Sequence, residues 1–292
     1  MSSLSPELIA KRERLRRIIE EMESVIVAYS AGVDSTFLAR FCHDVLGPER
    51  ALAVTGVSPS VPPQEVEEAK AIAREHGFRH LVLNTEELEN ENYASNPTNR
   101  CYFCKTELYD KLVALAKERG FKHVVDGTNA DDAGDYRPGM IAAREHGVRS
   151  PLLEAGLTKA EIRALSRELG LPTADKPASA CLSSRIPYGQ RVTIEKLRQI
   201  NAAEQCLRRL GFRQVRVRHH ETIARIEVPR EEFPRLLEES VADTIVNELK
   251  ALGFTYVTLD LRGYRSGSLN EALSLAPAGA RPQPVLVQLH GV

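Results

Sequence analysis

Cys101 and Cys104 stand three apart in "NRCYFCK", and a third cysteine, Cys181, lies far along the chain in "KPASACLSSR". Thiolates of this kind bind zinc, build iron–sulfur clusters or pair with each other. The pair alone leaves three chemistries open: a redox disulfide, half of a zinc site, or two ligands of a cluster. Cys42 and Cys206 fall inside helical patterns and read as small buried hydrophobes. Cys181 does not. It occupies a loop-like stretch with Lys176, Ser183 and Arg185 nearby in sequence, where neighbouring cations would favour its thiolate.

A second group of residues points to phosphate. "VIVAYSAGVDSTFL" puts Ser30, Ala31, Gly32, Val33, Asp34 and Ser35 between an apolar strand and a helix. A loop of small residues there turns backbone N–H groups toward an anion, and the helix adds the positive end of its dipole. Asp34 beside a phosphate calls for Mg²⁺ between them. The simpler alternative is a tight turn in which Asp34 and Ser35 cap the helix. The loop has no Gly-Lys-Ser/Thr and no GxGxxG pattern. Further on, "VVDGTNADDAGDYRPG" places Asp126, Gly127, Thr128, Asn129, Asp131 and Asp132 at the end of another strand pattern. It is either a ligand-facing loop or a polar turn capping the next helix.

The elements that must hold these groups alternate. Short β-branched runs ("SVIVAY", "ALAVTGV", "HLVLNT", "HVVDGT") are separated by helical patterns ("STFLARFCHDVLG", "PQEVEEAKAIAREHG", "KTELYDKLVALAKERG"). Alternation of this kind predicts an α/β fold with a doubly wound, mostly parallel sheet, whose ligands sit beyond the carboxyl ends of the strands. Pro6 suits the first position of an opening helix, and Thr158 with Glu161 forms a capping box before "KAEIRALSRELG". From about Arg191 the pattern changes to a helix, two paired strands, a helical stretch that Pro234 interrupts, and a last strand "YVTLDL". The expected organisation is residues 1–190 as one α/β domain, 191–275 as a smaller C-terminal α+β domain, and 276–292 as a poorly ordered Pro- and Gly-rich tail.

Net charge is −1, so the chain as a whole is no electrostatic nucleic-acid binder. No apolar run reaches the ~20 residues of a membrane span, and the N-terminus lacks the apolar core of a signal peptide. A cytoplasmic protein with reduced thiols is expected, which favours a metal-binding or catalytic CxxC over a structural bridge.

"SAGVDS" resembles the SGGxDS signature of the PP-loop ATP pyrophosphatases, with Ala31 in place of the first glycine. Taken with "DGTNADD", "KPASACLSSRIPYG" and "LRGYRSGSLN", it resembles one branch of that superfamily, the LarE family of pyridinium-3,5-biscarboxylic acid mononucleotide sulfurtransferases, from about Leu8 to Asn270. The resemblance implies an adenine nucleotide alpha hydrolase-like fold. It implies ATP cleavage between the α and β phosphates, with Mg²⁺ on Asp34 and the Ser30–Ser35 loop on the pyrophosphate. Gly127, Thr128, Asn129 and Asp131 would lie beside the nucleotide, with Asp131 and Asp132 assisting the metal, and the backbone near Val54 and Gly56 would meet adenine. The substrate is a pyridinium mononucleotide dicarboxylate, adenylated on a carboxylate and converted to a thiocarboxylate for a nickel-pincer cofactor. Homo-oligomers are also implied.

Two variants of that family are expected. One sacrifices the thiol at the position of Cys181. The other holds a [4Fe–4S] cluster on three cysteines and uses a sulfide on the open iron. The pair Cys101 and Cys104 places this chain with the second, with Cys181 as third ligand and as a catalytic residue alongside Asp34. A zinc site would need a fourth ligand from Cys206, His123, His219 or His220, none with motif-like spacing. For the substrate's phosphate and carboxylates the arginines Arg185, Arg262 and Arg265 are the expected contacts, since guanidinium binds such groups bidentately. Two rival readings stand beside this one: a PP-loop [4Fe–4S] tRNA thiolase, and a non-catalytic nucleotide-binding protein with a structural metal.

Overall fold

The computed structural model describes residues 4–133, 138–177, 180–265 and 267–270. The tail at 276–292 and Ser266 lie outside the described residues. The described chain forms two compact units: Met1–Ser183 with Val192–Leu197, and Ser184–Arg191 with the residues from Arg198 on.

The first unit runs α1 (Pro6–Met22), β1 (Val25–Ala28), α2 (Val33–Leu46), β2 (Ala51–Val57), α3 (Pro63–Glu75), β3 (His80–Asn84), a single turn α4 (Glu91–Ala94), α5 (Arg100–Arg119), β4 (His123–Val125), α6 (Pro138–Glu145), α7 (Pro151–Glu154) and α8 (Lys159–Glu168). The four strands form one sheet in the order β3-β2-β1-β4, and every pairing is parallel. Parallel strands in such a sheet are buried on both faces, which is why they read as continuous apolar runs. Alternation sorts their side chains. Val25, Val27, Ala51 and Ala53 pack with α1, α2 and α8 on one face. Ile26, Leu52, Val54 and Val124 pack with α5 and α6 on the other. The strand order reverses between β1 and β4, so the loops after those two strands open the crevice where doubly wound sheets take ligands.

The second unit carries most of α9 (Ile194–Arg209), then β5 (Arg216–His220), β6 (Ile223–Glu227), the single turn α10 (Phe233–Leu236), α11 (Glu239–Ala251) and β7 (Tyr256–Leu259). β5 and β6 are antiparallel and β7 adds parallel to β6. Pro234 sits in the first turn of α10, and the helical stretch breaks after it, at Leu237–Glu238. Cys206 lies in the apolar core of this unit, as Cys42 does in the first.

Two boundaries differ from the sequence reading. Segment 184–191 groups with the second unit and 192–197 with the first, because Arg185 pairs with Glu204 while Val192 N–H donates to Ala94 O at 2.8 Å. Helix α5 also begins five residues before the lysine where the pattern starts it, so Cys101 and Cys104 belong to its first turns.

Candidate active site

At the end of β1 the chain turns through Ser30 to Gly32 and enters α2. Ala31 has φ 53° and is fully buried. A left-handed alanine costs about 1–2 kcal/mol, so the loop holds a backbone shape that glycine would adopt freely. Ser35 Oγ accepts from Ser30 N–H at 3.1 Å and lies 3.1 Å from Ser30 Oγ, which locks the loop onto the first turn of α2. Gly32 is the N-cap residue and no side chain caps this helix. The simpler alternative, in which Asp34 and Ser35 cap it, does not hold: among the described residues no side chain caps the leading amides of α2, which leaves them to an outside acceptor. Asp34 instead accepts from Lys159 Nζ and, at 3.4 Å, from Asn129 Nδ2.

The loop after β4 is shaped by its own carboxylates. Asp126 accepts from Thr128 N–H at 3.1 Å, Ser150 Oγ at 2.7 Å and Tyr109 OH at 3.0 Å. Asn129 and Asp132 form a reciprocal capping box, with Asn129 N–H donating to Asp132 at 3.0 Å. Asp131 accepts from Lys159 N–H at 2.8 Å. Asp131 and Asp132, expected to assist a metal, thus hold backbone amides. Gly127 makes the approach of the two loops possible: a Cβ there would stand 3.0 Å from Ser35 N and 3.2 Å from Asp34 Cβ. On β2 the Val54 carbonyl, expected near adenine, already accepts from Tyr29 N–H at 2.9 Å. Gly56 packs beneath Leu108, whose Cδ1 would lie 2.7 Å from a Cβ.

The three cysteines fall within this same unit. Cys101 and Cys104 are i, i+3 on α5 and so share a helix face. Crowding by protein atoms raises the Cys101 thiol above its ordinary range, and the Cys181 charge adds to it, although Cys101 retains exposed surface. Burial raises the Cys104 thiol strongly, with further contributions from Glu87, Cys181 and Cys101. Among the described residues no three His, Cys, Asp or Glu side chains gather tightly enough to hold one metal ion.

The Cys181 segment is fixed on both sides. Lys176 Nζ donates to Ala31 O at 3.1 Å and pairs with Glu68 at 2.7 Å, tying the segment to the loop after β1. Leu182 N–H donates to Ser60 O at 2.9 Å, Ser183 Oγ lies 2.7 Å from Tyr93 OH, and buried Arg100 donates to Ser183 O at 3.0 Å. Lys159, Arg100 and Glu87 escaped the sequence reading. Only Lys159 had a local signal, as the residue following the capping-box threonine.

In the second unit Arg185 is buried and bidentate to Glu204, at 2.8 and 3.1 Å. Its fork is engaged by a structural partner, so the expectation of a surface cation for substrate is corrected. Arg218 pairs with Glu227 in the same manner. Arg265 donates to Gly263 O at 2.8 Å and lies 3.5 Å from Asp260, whereas Arg262 is exposed.

The NAD synthase family model matches residues 11–100, the stretch from α1 to the start of α5. The chain is 50% identical to an uncharacterised protein of Synechocystis sp. over 91% of its length and 99% of that protein. It is 39% identical to the pyridinium-3,5-bisthiocarboxylic acid mononucleotide synthase of Lactiplantibacillus plantarum, over 92% of this chain and 97% of that one. The chain belongs to this synthase family. A more distant likeness, 28% over 61% of the chain and 59% of the relative, is to the tRNA-specific 2-thiouridylase MnmA of Rickettsia peacockii. The family's PP-loop unit is the parallel sheet and its two facing loops. Among the described residues no helix is long and apolar enough to cross a membrane.

Proposed function

We propose that this chain is an ATP-dependent sulfurtransferase that adenylates a carboxylate of a pyridinium mononucleotide and exchanges it for a thiocarboxylate. The observation that carries the reading is one unit holding both halves of the chemistry: Asp34 with Lys159 at the uncapped start of α2, and Cys181 with Cys101 and Cys104.

A carboxylate is a poor electrophile because attack adds charge to charge. In the first half its oxygen attacks the α-phosphorus of ATP, the bond to the β-phosphate oxygen breaks, and pyrophosphate leaves. The α2 amides and Lys159 would take the charge on the departing group. Asp34, with Asn129 orienting it, would hold Mg²⁺, which neutralises phosphate charge. In the second half a sulfur nucleophile attacks the acyl carbon and AMP leaves with its electron pair. Cys101, Cys104 and Cys181 would hold the [4Fe–4S] cluster, and its chemistry there is to present an inorganic sulfide. A lone zinc ion draws its ligands to about 2.3 Å from one point. Three cysteines in one unit are the donor set that such a cluster with one open iron takes. Arg262 and Arg265 serve the substrate's anionic groups in this reading, and the working form is a homo-oligomer in the cytoplasm.

The test is anoxic purification with iron and acid-labile sulfide analysis, followed by pyrophosphate release with Mg²⁺, ATP and the dicarboxylate. About four irons and four sulfides per chain are expected. A colourless, zinc-loaded protein overturns the cluster. Thiolation of tRNA without turnover of the dicarboxylate, or ATP binding without pyrophosphate release, overturns the function.

A further inference from the structure

The carbonyl of Ala31 is a buried acceptor held from far along the chain. Ala31 has φ 53° and no exposed surface. Among the described residues Lys176 Nζ, at 3.1 Å, is the one group that donates to its oxygen. A residue other than glycine stays at positive φ only where its surroundings over-determine it. The left-handed well is narrow, so fixing the direction of the carbonyl fixes both dihedrals of the residue. A trans peptide plane also sets its C=O and N–H in opposite directions. Whatever holds Ala31 O therefore aims the Gly32 N–H, which donates to no atom among the described residues.

Lys176 is anchored for that hold. Its N–H donates to Thr173 O at 3.0 Å, and its carbonyl accepts from Arg163 Nη2 at 2.9 Å. Pro177 restricts its backbone further, toward the extended region. The ammonium has a second partner in Glu68 of α3, at 2.7 Å. Glu68 is 43% exposed, so water can take over its charge when the lysine is removed. Losing the ammonium strands no buried carboxylate; what it strands is the buried Ala31 oxygen. The left-handed alanine would then relax, its peptide plane would rotate, and the Gly32 amide would turn with it.

We propose that Lys176 is a positioning residue of the nucleotide loop: by gripping the Ala31 carbonyl it keeps Ala31 left-handed and presents the Gly32 N–H to a phosphate of the bound nucleoside triphosphate, without touching the nucleotide itself. The proposal rests on the nucleotide site read above and names the side chain that shapes it.

The experiment measures binding of α,β-methylene-ATP with Mg²⁺ by calorimetry on the full-length chain, in wild type, Lys176→Met, Ala31→Gly and the Lys176→Met/Ala31→Gly double variant. Methionine keeps the length of the side chain and removes the donor. Releasing a left-handed alanine is worth about a factor of ten, so Lys176→Met is expected to weaken the analogue about tenfold. Glycine takes positive φ freely, so in the Ala31→Gly background the same change should cost no more than about threefold. A loss equally large in both backgrounds overturns the proposal, because the ammonium would then act on the nucleotide directly or on the fold at large. Equal affinity in wild type and Lys176→Met overturns it as well, and leaves the nucleotide site standing. A wild type that does not bind the analogue overturns that site and this proposal with it. Should Lys176→Met fail to fold, the double variant decides: a folded double variant that binds the analogue supports the role, and one that also fails to fold refutes it.

Discussion

Gly127→Ala tests whether the two loops form one nucleotide site. The added Cβ would meet Ser35 N at 3.0 Å, Asp34 C at 3.3 Å and Asp34 Cβ at 3.2 Å, where ordinary contact begins at 3.4 Å. The shortfall is about 0.4 Å against the backbone nitrogen, and neither Ser35 N nor the Asp34 carbons belong to the far end of a flexible side chain. The loop after β4 must therefore back away from α2 by a few tenths of an ångström. Overpacking of this kind costs about 1–3 kcal/mol, and at ~2–4 °C per kcal/mol the melting temperature falls by several degrees. The methyl also covers the Ser35 amide, one of the donors left open at the start of α2. A misplacement near 1 Å costs about a hundredfold in rate, so a shift of a few tenths should cost on the order of tenfold. The assay is pyrophosphate release against ATP concentration, with a raised KM for ATP as the main expected change. A variant with lowered melting temperature but unaltered KM and rate would refute the reasoning, because the loops would then touch without sharing a ligand.

Asp34→Asn keeps the size of the side chain but removes the charge that Lys159 and Mg²⁺ need, and pyrophosphate release should drop by about two orders of magnitude or more; a change under threefold refutes the metal role. Ala31→Gly relieves the left-handed backbone but loses a buried methyl and adds unfolded-state entropy, so chemical denaturation should move by less than about 1 kcal/mol. Ala31→Val, β-branched at positive φ, should destabilise by more than about 2 kcal/mol, and a neutral result there removes the strain. Arg185→Met leaves buried Glu204 with Arg208 and the Val217 N–H as its partners among the described residues and should cost about 3 kcal/mol or more in denaturant unfolding, recovered in part by the Arg185→Met/Glu204→Met double variant. Burial opposes ionisation of Glu204, but Arg185 and Arg208 prevail and hold it below its ordinary value of 4.5. Its stabilisation is therefore complete above that value and fades as pH falls through the lower folded-state value. A wild-type denaturation midpoint that declines below about pH 4.5 more steeply than that of the double variant is the expected signature.

The strands and most helices were legible because a parallel sheet buried on both faces leaves uninterrupted apolar runs, and because caps such as Thr158–Glu161 are written locally. The Ser30–Ser35 and Asp126–Asp132 stretches were legible as loops closing β1 and β4, because small and acidic residues end the apolar strand runs. The start of α5 was missed, since Asn99, Arg100 and the cysteines give no capping signal. Arg185 was misjudged because a pattern of arginines does not say which carboxylate each one faces, and Glu204 lies nineteen residues away on α9.

By itself the sequence determined the alternation of strands and helices, the phosphate-type loop and the inventory of thiols, all properties of contiguous residues. Tertiary structure alone decided that Lys159 reaches Asp34 across 125 positions, that Lys176 pins the Cys181 segment to Ala31, and that Arg185 closes on Glu204. These pairings depend on which strand ends the sheet order brings together, and the reversal between β1 and β4 is a property of the assembled sheet that no single stretch of chain encodes.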